Sequence, residues 1–158
     1  MKKLEELLIE NPVIAAIRNK NDLEKVISSN VLIVFVLYGT IINLKNICEI
    51  LKAANKIIFV HMDLMEGIKG DYSGLLFIKQ CGEPYGIITT RPNTIKNAKK
   101  LGFCVIQRIF VLDSLSLETG IKNIQSVLPD AVEVLPGVAN KIIKRIEKSI
   151  RIPIIAGG

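Results

Sequence analysis

Short apolar runs alternate along the chain with longer stretches of mixed polarity. The runs occupy 13–17, 31–37, 57–62, 86–90, 103–109, 131–135 and 152–156. Each is strand-length, rich in Ile and Val, and nearly unbroken by polar residues, which is the pattern of strands covered on both faces. The stretches between them carry helical spacing. Leu44, Ile47, Cys48 and Leu51 recur at three and four residues, as do Val138, Ile142, Ile146 and, less regularly, Ile150. Candidate caps stand where helices should begin: Asn21 or Asp22 before the first, Asn43 before the second, and Asp113 or Ser114 before the fifth, with Pro92 placed for a first helical turn.

Seven strands and six intervening helices in strict alternation predict right-handed β/α units on a parallel sheet. No linker or low-complexity tract interrupts them, so 1–158 reads as one domain. An open doubly wound sheet that binds a dinucleotide should follow its first strand with a glycine-rich turn. Here that strand ends Ala16-Ile17-Arg18-Asn19, without glycine, which favours a barrel. The expected fold is therefore a parallel (β/α)8 TIM-type barrel whose eighth unit is missing from this chain, since the sequence reaches only a seventh strand. Edge strands one and seven, both rich in Ile and Val, would then favour a homo-oligomer.

Composition narrows the class. With 49% hydrophobic residues the chain can bury a core, and the low aromatic content suits Ile-rich strands under helices. A formal net charge of +6 points to an anionic partner, such as a nucleic acid or a phosphorylated metabolite. Cys48, Cys81 and Cys104 form neither a disulfide framework nor a zinc spacing, which suits reduced thiols in the cytoplasm. Residues 1–11 are charged and amphipathic, unlike a signal peptide, and no apolar run is long enough to span a membrane.

In a barrel, chemistry gathers at the C-terminal ends of the strands. Alternation predicts inward faces of Ile14, Ala16 and Arg18 on strand one, and of Phe59, His61 and Asp63 on strand three. It predicts Ile87, Thr89 and Arg91 on strand four, and Ala131, Glu133 and Leu135 on strand six. Strand five offers Gln107 and Arg108, one inward and one near the rim. These polar groups either plug the barrel by pairing, through Arg18, Asp63, Arg108 and Glu133, or hold a ligand. Arg18, Arg91 and Arg108 would give the mouth a field suited to a phosphate. His61, the sole histidine, is a hydrogen-bonded interior residue, a proton shuttle, or one member of a His61–Asp63–Glu133 metal set. No lysine lies on an inner strand face, so a Schiff-base aldolase is excluded. An isomerase or lyase acting on a small sugar phosphate, with Asp63 and Glu133 as acid and base, remains as the enzymatic alternative. No cofactor is implied. Glycines mark the loops, notably Gly137 after strand six and Gly157-Gly158 after strand seven, where barrels cradle phosphate.

Several strings at strand ends can be matched in order. They are Pro12-Val13-Ile14-Ala15-Ala16-Ile17-Arg18, Val60-His61-Met62-Asp63-Leu64 with Gly67-Ile68, and Gly86-Ile87-Ile88-Thr89-Thr90-Arg91. Three more follow: Ile106-Gln107-Arg108-Ile109-Phe110-Val111-Leu112-Asp113-Ser114, Val132-Glu133-Val134-Leu135-Pro136-Gly137 and Ile152-Pro153-Ile154-Ile155-Ala156-Gly157-Gly158. Through them the chain resembles the glycerol-3-phosphate-responsive antiterminators of glycerol uptake operons. The resemblance implies a barrel-fold regulator and not an enzyme. Such a protein binds glycerol 3-phosphate and acts on the leader mRNA of glycerol operons so that transcription passes a terminator. It also implies a further helix and an eighth strand beyond the Ala-Gly-Gly string, with half of the phosphate cradle. The residues that match at the mouth are Arg18, Asp63, Thr90, Arg91, Gln107, Arg108, Glu133 and Gly137, with Ala156, Gly157 and Gly158 beginning the phosphate loop. For the RNA, the exterior basic residues are Lys96, Lys99 and Lys100 on the fourth helix and Lys141, Lys144, Arg145 and Lys148 on the last, with Arg151 at its exit.

Overall fold

The computed structural model describes residues 3–158, so Met1 and Lys2 of the amphipathic leader lie outside the described residues. Seven parallel strands follow one another in chain order: β1 (Ile14–Ile17), β2 (Ile33–Val36), β3 (Ile57–His61), β4 (Gly86–Thr89), β5 (Cys104–Phe110), β6 (Ala131–Leu135) and β7 (Ile154–Ala156). Between them run α2 (Lys20–Ile27), α3 (Leu44–Ala53), α4 (Tyr72–Cys81), α5 (Pro92–Lys100), α6 (Ser114–Val127) and α7 (Asn140–Ser149). A 3-10 turn, Met62–Leu64, continues directly from β3. The sheet is curled. Residues of β1 and β7, its two edges, line a single cleft, and an inner apolar cluster draws on every strand. The alternation read from the sequence is thus observed, with seven strands in a TIM-like arrangement.

Local chemistry explains where the helices start. Asp113 caps α6 by accepting from the Ser116 N–H at 2.7 Å, and the Ser116 hydroxyl accepts in return from the Asp113 N–H, which completes a capping box. Pro92 opens α5 in its first turn. The cap of α2 is neither Asn21 nor Asp22 but Asn19, whose side chain accepts from the Asp22 N–H. Asp22 turns back to accept from the Arg18 N–H. Asn43 caps no helix N–H; its oxygen accepts from Thr40 and closes the loop before α3.

The strands are buried on both faces, and the two faces have different partners. Inward, Ile33, Phe35, Phe59, Ile88, Ile106 and Ala131 fill the barrel. Outward, Val34, Val36, Ile58, Val60, Ile87 and Val105 meet the helices. Strand four therefore has the opposite parity to the one expected: Ile88 faces in, and Ile87 and Thr89 face the helices. The register His61↔Ile88↔Ile106 fixes this. An unbroken apolar run has no polar alternation to reveal its parity. Gly86 opens β4 on the inner side, where any Cβ would drive into the Phe59 ring and the Cys104 carbonyl.

A helix stands ahead of the first strand: α1 (Leu4–Glu10). It lays Leu4 and Leu7, both buried, against Ile33, Phe35 and Phe59, and so closes the N-terminal end of the barrel. Its outer residue Ile9 is 73% exposed. Leu7→Ala should therefore cost about 2–5 kcal/mol in urea unfolding, whereas Ile9→Ala should change stability by less than about 0.5 kcal/mol.

Candidate functional site

Above the apolar layer of the barrel the inward positions turn polar. Two residues beyond Phe59 on β3 comes His61; two beyond Ile106 on β5 comes Arg108; two beyond Ala131 on β6 comes Glu133. Arg108 and Glu133 are register partners and form a two-pronged ion pair. Arg108 Nε donates to Glu133 Oε2 at 2.7 Å and Nη2 donates to Oε1 at 3.2 Å. Both side chains are at most a tenth exposed. The pair is held from the β7 side by Gly157, where a Cβ would sit 2.6 Å from Glu133 Oε1. Gly157 in turn packs on Gly137, which has no room for a Cβ against the 156–157 backbone. The Gly137 N–H donates to Gly157 O at 2.6 Å and the Gly157 N–H donates to Val134 O at 2.9 Å. Both amides are thus engaged within the loop.

Glu133, Ala16, Ala156, Gly157 and Gly158 share one cleft of ≈ 510 Å³ between β1 and β7. Its lower end is lined by Ile14, Phe35, Ile155 and, from α1, Leu8, Ile9 and the acidic Glu5; its upper end is this carboxylate and the glycines. Arg18, two residues past Ala16 and just beyond the end of β1, is exposed.

Asp63 belongs to a second cluster. It accepts from Thr89 Oγ1 at 2.6 Å, from the Thr90 N–H at 2.8 Å and from Thr90 Oγ1 at 2.7 Å. Burial pushes the Asp63 carboxyl up, but those three hydrogen bonds and the nearby His61 outweigh it and hold it below the ordinary carboxylate value. Such a carboxylate stays ionised and is a poor general acid. Of the acid–base pair of the isomerase or lyase alternative, Asp63 is thus engaged by Thr89 and Thr90, and Glu133 by Arg108. Asp63 also borders a polar cleft of ≈ 900 Å³ with Lys69, Asp71, Asn93 and the exposed Arg91. Among the described residues no three His, Cys, Asp or Glu side chains group to hold a metal ion.

The expected mouth residues therefore separate. Arg108, Glu133, Gly137, Ala156, Gly157 and Gly158 come together around the β1–β7 cleft, and Arg18 stands just beyond the end of β1. Asp63, Thr90 and Arg91 meet on the β3–β4 side. Gln107 joins neither: Val105 and Ile109, two residues to either side, pack under the helices, and Gln107 points there too, 1% exposed. Of the three arginines, only Arg108 faces in, and its guanidinium is engaged by Glu133. His61 is 3% exposed, and its Nδ1 has no partner. Burial, then the Arg108 guanidinium, lower the imidazole from 6.5 to about 4, with Asp63 pulling the other way. Its signal in the sequence was its singularity at a strand end. Burial pushes Cys48 up to about 11 and Cys104 up to about 12, so neither thiol is reactive.

The exterior basic residues lie on neighbouring helices. Lys96, Lys99 and Lys100 of α5 and Lys141, Lys144, Arg145 and Lys148 of α7 are all exposed and flank α6. Lys99 Nζ donates to Leu128 O, and Gln125 Nε2 donates to Ser149 O at 3.2 Å, which ties the C-terminal ends of the three helices together. No helix among the described residues is long and apolar enough to cross a membrane.

Residues 13–158 match the family model described as the glycerol-3-phosphate responsive antiterminator. An uncharacterised protein of Escherichia coli, YgcP, is 39% identical over 152 residues, which is 96% of this chain and 80% of that protein. Among solved structures, the glycerol uptake operon antiterminator regulatory protein of Listeria monocytogenes superposes with a TM-score of 0.89 at 34% identity, over 94% of this chain and 80% of the other. A glycerol uptake operon antiterminator-related protein of Thermotoga maritima gives 0.75 at 39% identity, over 84% and 76%. A 2,3-dimethylmalate lyase gives 0.68 at 10% identity, over 98% and 70%, a likeness of fold alone.

Two measurements follow from the polar layer. Glu133→Ala leaves a guanidinium buried without its partner and should cost about 3–5 kcal/mol, while the double change Arg108→Met/Glu133→Leu should fold with near wild-type stability in urea titrations. His61 is neutral in the fold, but in the unfolded chain it takes up a proton near pH 6.5. Its contribution is thus fully present above pH 6.5 and is lost as pH falls toward 4. Acidification across that window should cost the wild type on the order of 3 kcal/mol more than it costs His61→Leu.

Proposed function

Because the chain belongs to the glycerol-3-phosphate responsive antiterminators, we propose that it binds glycerol 3-phosphate at the C-terminal mouth of the barrel. In response it acts on the leader RNA of glycerol uptake and utilisation genes and lets transcription pass a terminator. The observation that carries this reading is Glu133, an ion-paired carboxylate facing a solvent-open cleft whose upper wall is Gly157 and Gly158. A carboxylate accepts from hydroxyls and repels phosphate, so it orients a ligand that carries both. The phosphate then rests at the far side of the cleft mouth, on Gly158 and the Arg18 guanidinium, because Gly137 and Gly157 use their amides internally. Arginine suits that role through its paired donors. Asp63, Thr90 and Arg91 form the opposite rim.

The same reading assigns the leader RNA to the basic exterior of α5 and α7, where charge without aromatic platforms suits backbone contacts. It places the protein in the cytoplasm, where such transcripts are made. It also places one further parallel strand in the lower part of the β1–β7 cleft, against Ile14 and Ile155, closing an eight-stranded barrel below the ligand. Without that strand, β1 and β7 are edges at which a second copy would pair.

Calorimetry with glycerol 3-phosphate, a turnover assay on the same ligand, and a leader-RNA gel shift with and without it test the reading. Binding without turnover, and a ligand-dependent shift, are expected. Arg18 is exposed, so Arg18→Met should fold normally and bind glycerol 3-phosphate at least about tenfold more weakly. Unchanged affinity in Arg18→Met would remove the phosphate from this end of the cleft.

A further inference from the structure

We propose that His61 is a ligand-contacting residue of this site, its Nδ1 hydrogen-bonding a hydroxyl of the polyol and not the phosphate. This rests on the glycerol 3-phosphate reading above and adds a residue that selects the ligand's carbon end. The argument begins with an orphan. A buried imidazole nitrogen without a partner forfeits the hydrogen bond it would make in water. His61 Nδ1 is such an atom, in a ring only 3% exposed. Every inward neighbour in the layer below is apolar: Phe35, Phe59, Ile88 and Ile106. The outward direction is closed by the sheet itself, since Val60 on the same strand already faces the helices. Arg108 is the nearby cation, but it can only donate, and its fork is turned to Glu133. Asp63 is occupied by three donors from Thr89 and Thr90. A partner for Nδ1 therefore comes from the open side of the layer, which is the mouth.

The chemistry of that partner follows. The ring is held neutral between a guanidinium and its own burial, so it has one donor and one acceptor nitrogen. A hydroxyl both donates and accepts, and satisfies Nδ1 in either tautomer. A phosphate dianion offers only acceptors, and on this side of the barrel it would meet the Asp63 carboxylate. The sheet order sets β3 four strands away from β7. A ligand anchored by its phosphate beside Gly158 turns its hydroxyls past Glu133 into the interior, the side on which His61 also lies. The rival occupant of this position is an ordered water with no part in recognition.

Two substitutions separate these cases. Asn places its amide near the position of Nδ1 and keeps both donor and acceptor; Leu fills the space and keeps neither. Calorimetry on the full chain uses glycerol 3-phosphate and inorganic phosphate as probes, after thermal melts confirm that each variant folds. His61→Leu should bind glycerol 3-phosphate about tenfold more weakly, with its affinity for inorganic phosphate within about twofold of wild type. His61→Asn should stay within about threefold of wild type for both probes. If His61→Leu binds glycerol 3-phosphate as the wild type does, the position holds only water and the proposal fails. An equal loss for both probes would also sink it, because the contact would then be with phosphate or with the fold. If the wild type itself binds glycerol 3-phosphate no better than inorganic phosphate, both the polyol site and the function proposed for it fall together.

Discussion

A guanidinium and a carboxylate removed from water can persist only if each is the other's partner, and the upper half of this barrel is arranged around that requirement. Arg108 and Glu133 sit at paired positions of β5 and β6, one layer above a wholly apolar interior. Their mutual orientation leaves Glu133 with one flank toward the β1–β7 cleft. Packing against that flank admits no side chain, which is why the seventh strand must end in glycine, and why the turn after β6 must carry another. The ion pair also sets the state of its surroundings. Burial first, and then its cation, keep His61 uncharged, with one ring nitrogen uncommitted among the described residues. A pair of this kind is no proof of stability, since desolvation offsets most of its attraction. What it supplies is direction, because it keeps the Glu133 carboxylate facing the cleft.

The β3–β4 side has a different economy. There Asp63 stays ionised and is stabilised by two hydroxyls and an amide.

Much of this was legible in the residues. Strict alternation of Ile/Val runs with amphipathic stretches yields the order and number of the elements, because parallel strands and their helices have such different periodicities. The capping box at Asp113 and the proline at 92 mark their helices without help from tertiary contacts. Parity within a strand is harder. On β4 nothing distinguishes Ile87 from Ile88 until the neighbouring strands set the register, and the face assigned to Thr89 came out reversed. Gln107 illustrates the same limit, since adjacency to Arg108 in sequence places it on the opposite side of the sheet. The closing role of α1 was hidden too, because an amphipathic heptad beside a terminus reads alike whether it plugs a barrel or lies on the surface. Pairing between distant charges, as in Arg108 with Glu133, is set by strand register and has no local signature.

The hydrogen bonds that join the C-terminal ends of α5, α6 and α7 have a further consequence. In a barrel of β/α units the helices run antiparallel to the strands, so these ends lie at the pole opposite the mouth. Lys99, Lys100, Lys148 and Arg151 stand at that pole, across the barrel from Glu133 and Gly158. On the proposed reading, a polyanion held at that pole would leave the mouth sterically unobstructed. If the proposed ligand and RNA occupy these opposite poles, any influence of one upon the other would be relayed by movement of strands and helices, and thermodynamic reciprocity would require it to act equally in both directions.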